Sequence, residues 1–182
     1  KLVRRYDGLL RFLLHHVKFA ERKEVDAWMR KAASSSSNAF RPMSSLAQRV
    51  PMPRRDLKVV IEAISRSKLP VLRATWYVKV ALWSLHTLSA KEGTHPTHFI
   101  DPSKAMIRSM ATMWTSELVA RLSYISRAVG RSSDENSSEL FEEWDYLLRL
   151  GKWQLDLHML DRQVYISGLL DTLQFSIAAA KS

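Results

Sequence analysis

The chain contains no cysteine among its 182 residues. That excludes disulfides, thiolate nucleophiles and cysteine-ligated zinc, and it fits a reducing compartment. Only five glycines occur, and none falls in a phosphate-cradling loop, a dinucleotide-binding turn or a nucleophile elbow. No apolar run approaches the ~18 residues of a membrane span, so membrane anchoring is not expected. No secretory signal is visible. The chain begins at Lys1 rather than methionine, and an excised fragment of a longer protein is the expectation. Almost no stretch alternates with the period of a strand.

What remains is helical periodicity and uneven charge. Residues 1–91 carry 19 Lys/Arg against 6 Asp/Glu, whereas residues 92–182 carry 9 against 12. The basic half is open to three accounts: solvated helix faces, an acidic protein partner, or nucleic acid. Without regular aromatic interleaving or a recognition motif, nucleic-acid binding through it would be weak, non-specific and salt-sensitive.

The densest apolar stretch runs from Leu69 to Leu88. Pro70 suits a first helical position, and Leu72, Thr75, Trp76, Lys79, Val80 and Trp83 recur at helical spacing, with Leu82, Leu85 and Leu88 widening the stripe. A helix buried on most sides is predicted, with Trp76 in the core.

Before it, residues 2–31 read as one long basic amphipathic helix. Leu2, Tyr6, Leu9, Leu10, Leu13, Leu14, Val17 and Ala20 form its stripe, opposite Arg4, Arg5, Arg11, Lys18 and Arg22. Such a helix either docks on a partner or packs at the edge of its own domain. Ser34–Ser37 and Asn38 form a polar break. Residues 46–50 are expected to make a short helix ending before Pro51, and Pro51 and Pro53 to keep the chain extended. Asp56 is positioned to cap a helix bearing Leu57, Val60, Ile61 and Ile64, flanked by Arg54 and Arg55.

After the central helix, His95 and His98 have a spacing that zinc could use, but a site needs three or four ligands and the chain has no cysteine, so a helix-entry turn before Asp101-Pro102 is expected instead. A helix over residues 102–129 carries Met106, Ile107, Met110, Met113, Trp114, Leu118, Leu122 and Ile125, ends at Gly130, and offers its methionines as core or as an adaptable binding face. Residues 131–138 read as a linker. Glu139, Glu142 and Glu143 would then open a helix whose stripe is Leu140, Phe141, Trp144, Leu147, Leu148 and Trp153, as acids suited to the positive helix end rather than converging catalytic carboxylates. Asp161 caps a last helix with Val164, Tyr165, Leu169, Leu170, Leu173 and Ile177 on its stripe.

These segments predict an all-α fold, an irregular multi-helix bundle or solenoid-like array of about six to seven helices. The expected division is an N-terminal helix over 1–33, a Ser-rich loop over 34–42 and a bundle over 43–182. No constellation of catalytic residues is present, so no enzyme activity, cofactor or metal is expected.

Pro70-Val71-Leu72-Arg73-Ala74-Thr75-Trp76-Tyr77-Val78-Lys79 resembles the Pro-Val-x-Arg-Ala-x-Trp-(aromatic or aliphatic)-(Ile/Val)-Lys run of subunit 12 of the Mediator complex. Leu46-Ala47-Gln48-Arg49-Val50-Pro51, Trp144-Asp145-Tyr146 and Met159-Leu160-Asp161-Arg162 are similar to further segments of that family, in the same order, with a weaker match at Ala27-Trp28. Upstream of Val25 no resemblance is found. The resemblance implies a nuclear, non-catalytic scaffold of the Mediator kinase module that binds cyclin C, the Mediator cyclin-dependent kinase and Mediator subunit 13. An autonomous basic helical nucleic-acid-binding module is the alternative. The family's kinase-activating segment lies before the Leu-Ala-x-x-Val-Pro run, where residues 2–24 show no match to it, so no activating residues carry over. Candidate partner-binding residues are Arg4, Arg5, Arg11, Lys18 and Arg22 on the first helix, and Arg54, Arg55, Arg73 and Lys79 around the central pair. Arg73 and Lys79 could equally be clamps within the domain.

Overall fold

The computed structural model describes residues 17–33, 50–52, 56–89, 104–129 and 134–179. It divides into two compact units, Lys1–Asp101 and Pro102–Ser182. Six α-helices lie among the described residues, an all-α array with one minimal pair of strands.

In the first unit, β1 (Val17–Phe19) pairs in parallel with β2 (Val50–Met52), Val17 opposite Val50 and Phe19 opposite Met52. This corrects two expectations: the single helix over 2–31 is interrupted at Val17–Phe19, and Val50 is strand rather than helix. Backbone pairing explains both. Val17, Phe19 and Val50 are strand formers, and Ala20 N donates to Met52 O at 2.9 Å. Groups on alternate residues of a strand face opposite edges, so Met52 faces β1 and Pro51 faces away, where its missing N–H costs no ladder bond.

The helix α1 (Arg22–Ala33) starts after the pairing ends, with Glu24 in its first turn and Arg30 and Lys31 in its last, as the helix dipole favours. Val25, Met29 and Ala32 recur on one face and are fully buried. They pack toward β2 and α2 (Leu57–Arg66). Residues 22–33 are therefore part of the first unit's core rather than a separate segment. Asp56 caps α2 as anticipated, its Oδ1 accepting from Lys58 N at 3.0 Å and Val59 N at 3.3 Å. The helix closes in a Schellman motif: Lys68 N donates to Ser65 O, Leu69 N to Ile64 O, and Lys68 itself lies at φ 47°. Leu69, the residue beyond the turn, is fully buried. Pro70 falls one place before α3 (Val71–Ser89), its carbonyl taking the first helical bond from Ala74 N at 2.9 Å. The expected burial of this helix holds: Ala74, Thr75, Trp76, Tyr77, Val78, Val80, Ala81 and Leu82 are all buried.

In the second unit, α4 (Lys104–Val129) packs against both α5 (Asp134–Asp156) and α6 (Arg162–Ala179). Trp114, Leu118, Leu122 and Ile125 supply the α4 side of the core, meeting Tyr146, Leu147, Leu150, Leu160 and Tyr165 from the other elements. α5 begins at Asp134, inside the expected linker, so Glu139, Glu142 and Glu143 lie beyond its first turn. It ends in a second Schellman motif, with His158 at φ 56°, His158 N on Leu155 O and Met159 N on Gln154 O. Asp161 caps α6 through Gln163 N and Val164 N.

Several residues expected in the core are exposed instead: Ile107, Met113, Phe141, Trp153, Leu170, Leu173 and Ile177. On α6 the reason is direct. The face turned to α4 is the small and hydroxylic one, with Ser123 against Thr172 at 2.7 Å and Ser126 against Ser176 at 2.5 Å. A Cβ built on Gly168 would lie 2.3 Å from Val119 Cγ1. Close approach of two helix backbones places the small face inward and the larger aliphatic side chains outward.

Candidate interaction surface

The candidate partner-binding residues divide by position. Arg4, Arg5, Arg11, Arg54 and Arg55 lie outside the described residues, as do His95, His98 and Gly130. Lys18 is on β1. Arg22 opens α1 with its side chain half exposed and its Nη2 2.6 Å from Glu62 Oε2 on α2. One turn along both helices, Arg66 Nη1 lies 3.5 Å from Asp26 Oδ2. The two ion pairs advance together, so α1 and α2 run in the same sense. Exposed pairs of this kind contribute roughly 0–1 kcal/mol each, and they set register more than stability.

Arg73 is turned inward: its Nη1 donates to the carbonyl of Ala32 in the last turn of α1. A guanidinium there satisfies one of the carbonyls that a helix end leaves without an intrahelical donor and meets the negative end of its dipole. Of the two alternatives for Arg73, the structure has the clamp within the domain. Lys79 is half-buried on α3.

Around this frame the aromatic side chains form one cluster. Trp28 stacks on Trp76 with ring centroids 6.5 Å apart and lies 5.3 Å from the Tyr77 ring. Tyr77 donates its phenol to Pro51 O at 2.6 Å. The position of Tyr77 in the apolar run makes it a core candidate from sequence, but its acceptor, 26 residues away, has no sequence signal.

Sequence periodicity also overlooked the polar joints of the second unit. Arg121 grips Glu143 with two bonds, Nε to Oε1 at 2.8 Å and Nη2 to Oε2 at 2.9 Å, both side chains mostly shielded. Trp114 Nε1 donates to Gln154 Oε1 at 2.7 Å in the core. At the entry to α6, Thr112 Oγ1 donates to Asp161 Oδ2 and Asp161 N donates to Thr115 Oγ1.

Titration behaviour reflects these surroundings. The Val164 N–H, and then the Thr112 hydroxyl, hold the Asp161 carboxyl below the usual range. Burial pushes the Tyr77, Tyr146 and Tyr165 phenols up, further from physiological pH than their ordinary value. Among the described residues, no three His, Asp or Glu side chains converge as a metal site, and no helix is long and apolar enough to cross a membrane. The chemistry on display is that of surfaces: a basic first unit and apolar helix faces in the second.

Residues 12–79 match the family model described as transcription mediator complex subunit Med12. The match spans β1, α1, β2, α2 and the first half of α3, and it contains the Ala27-Trp28, Leu46–Pro51 and Pro70–Lys79 runs. It starts upstream of Val25, extending the likeness into a segment where motif comparison found none. Nothing among curated proteins or solved structures matches the chain. The strand pair, the α1–α2 register and the Trp28–Trp76–Tyr77 cluster thus all sit within the matched segment, and over that segment the chain is similar to the Mediator subunit 12 family.

Proposed function

We propose that this chain is a non-catalytic scaffold of the Mediator kinase module in the nucleus, supporting activation of the cyclin C–cyclin-dependent kinase pair and connecting to Mediator subunit 13. The observation that carries this reading is the family match over residues 12–79, which falls on the basic, tightly packed first unit. Charge supports it: residues 1–91 carry a large excess of Lys and Arg, suited to an acidic protein surface. The proposed contact surface comprises Arg4, Arg5, Arg11, Lys18, Arg22, Arg54, Arg55 and Lys79. Arg73 drops to a supporting role because it is engaged at the end of α1.

The test is co-purification of cyclin C and the kinase with the tagged chain, comparing the parent with Arg22→Glu. The parent should recover both partners, and reversing this half-exposed charge should weaken recovery while leaving the circular dichroism spectrum unchanged. Absence of both partners from the parent eluate would sink the scaffold assignment. Full recovery by the variant would move the contact away from the start of α1. Deleting residues 1–33 is not a clean alternative, since it removes Val25, Met29 and Ala32 from the core.

A further inference from the structure

The outward face of α6 carries Ile166, Leu170, Leu173 and Ile177, which are 41%, 54%, 53% and 57% exposed. Their spacings are four, three and four residues, and at 100° per residue they fall within an arc of about 60°. That is the a/d seam of a coiled coil, with Ile166 and Leu173 at d and Leu170 and Ile177 at a. A neighbouring side of the helix is occupied, since Gly168, Thr172 and Ser176 meet α4.

The seam is a palindrome in both spacing and residue type. Reversed end to end, Ile-Leu-Leu-Ile at four, three and four reads the same, with its centre between Asp171 and Thr172. A two-fold axis through that centre places Leu170 against Leu173 of a second copy, and Ile166 against its Ile177, an a-to-d match along the whole seam. Two-fold interfaces require this kind of self-complementarity. Charge permits it. The flanking positions Ser167, Leu169, Gln174 and Ser176 are all uncharged, so two identical faces meet without like-charge pairs. The half of the chain that bears the seam also lacks the strong positive excess of residues 1–91.

We infer that α6 is a self-association surface on which two copies of this chain pair through antiparallel α6 helices. Four side chains per copy make a patch well under the ~800 Å² per partner of a standard interface, so the pairing belongs to the weak, concentration-dependent class.

Sedimentation equilibrium of the full chain from micromolar to several hundred micromolar should show the mass rising from 21.0 kDa toward twice that value. Leu170→Glu combined with Leu173→Glu should hold the protein at the monomer mass across the same range, with an unchanged helical spectrum. Because the chain has no cysteine, introduced thiols report orientation. With a short bismaleimide, an equimolar mixture of Ile166→Cys and Ile177→Cys chains should give the heterotypic cross-link and little of either homotypic one. A dominant homotypic product from Ile166→Cys would mean parallel pairing and overturn the proposal. A parent that stays monomeric at every concentration would also overturn it, leaving the seam to a helix of another protein. A Leu170→Glu/Leu173→Glu variant that still dimerises would place the interface elsewhere, with the same consequence.

Discussion

Tyr77 on the central helix donates its phenol to the carbonyl of Pro51, 2.6 Å away, on the strand edge that proline leaves without an N–H. One bond therefore closes β2 on the side away from β1 and fixes that strand to α3. Removing the hydroxyl in Tyr77→Phe leaves the carbonyl without this donor. The expected loss is about 1–3 kcal/mol, read as a lower urea midpoint with an unchanged m-value.

The buried phenols also predict an alkaline limit. Tyr77 and Tyr146 titrate higher in the folded protein than their ordinary value of 10.0, because burial disfavours the phenolate. The unfolded chain therefore holds fewer protons above that pH, and stability falls as pH rises. Their contribution is complete below about pH 10. Above it, stability should decline by up to about 1.4 kcal/mol per pH unit for each of the two, measured as a falling melting temperature between pH 9.5 and 11. Tyr77→Phe should flatten the slope, and an unchanged slope would assign the alkaline limit to other groups.

Trp76 is 2% exposed and its indole N–H finds no acceptor among the described residues. Trp76→Ala should cost about 3–5 kcal/mol through the cavity it leaves. Trp76→Phe should cost much less than the lost volume suggests, since it also removes an unsatisfied donor. Equal losses in the two variants, by thermal melting, would mean the N–H has a partner.

Lys68 and His158 each take the left-handed position of a Schellman motif, at φ 47° and 56°. Glycine there avoids a Cβ clash that costs an L-residue roughly 1 kcal/mol, part of which returns as entropy of the unfolded chain. Lys68→Gly and His158→Gly should each stabilise the protein by a few tenths to about 1 kcal/mol, additively, because they close different helices.

The reverse holds at Gly151, where an added Cβ would sit 2.2 Å from the Tyr165 hydroxyl oxygen. Gly151→Ala should destabilise by about 1–3 kcal/mol by forcing Tyr165 aside. Pairing it with Tyr165→Phe should recover part of the loss.

Local rules were enough for much of this protein. The caps at Asp56 and Asp161, the all-α class, and the burial of the 71–82 segment arise from side chains acting on their own backbone or from an apolar run too dense to leave in water. The family motifs within residues 12–79 were legible too, because they are strings of residues. The break in the expected 2–31 helix was not. Val17–Phe19 is extended because a strand more than thirty residues away supplies its hydrogen bonds, and a helical pattern carries no trace of that partner. Arg73 likewise offered a clamp or a contact until Ala32 was in place to accept from it. The face of α6 was decided last. Periodicity marked Val164, Tyr165, Leu169, Leu170, Leu173 and Ile177 as the side to bury, but of these Leu170, Leu173 and Ile177 are exposed, and the unit turns Gly168, Thr172 and Ser176 toward α4, because two backbones approach closest over small side chains. Sequence sets which helix faces are apolar; only the packed neighbours decide which of them meet water.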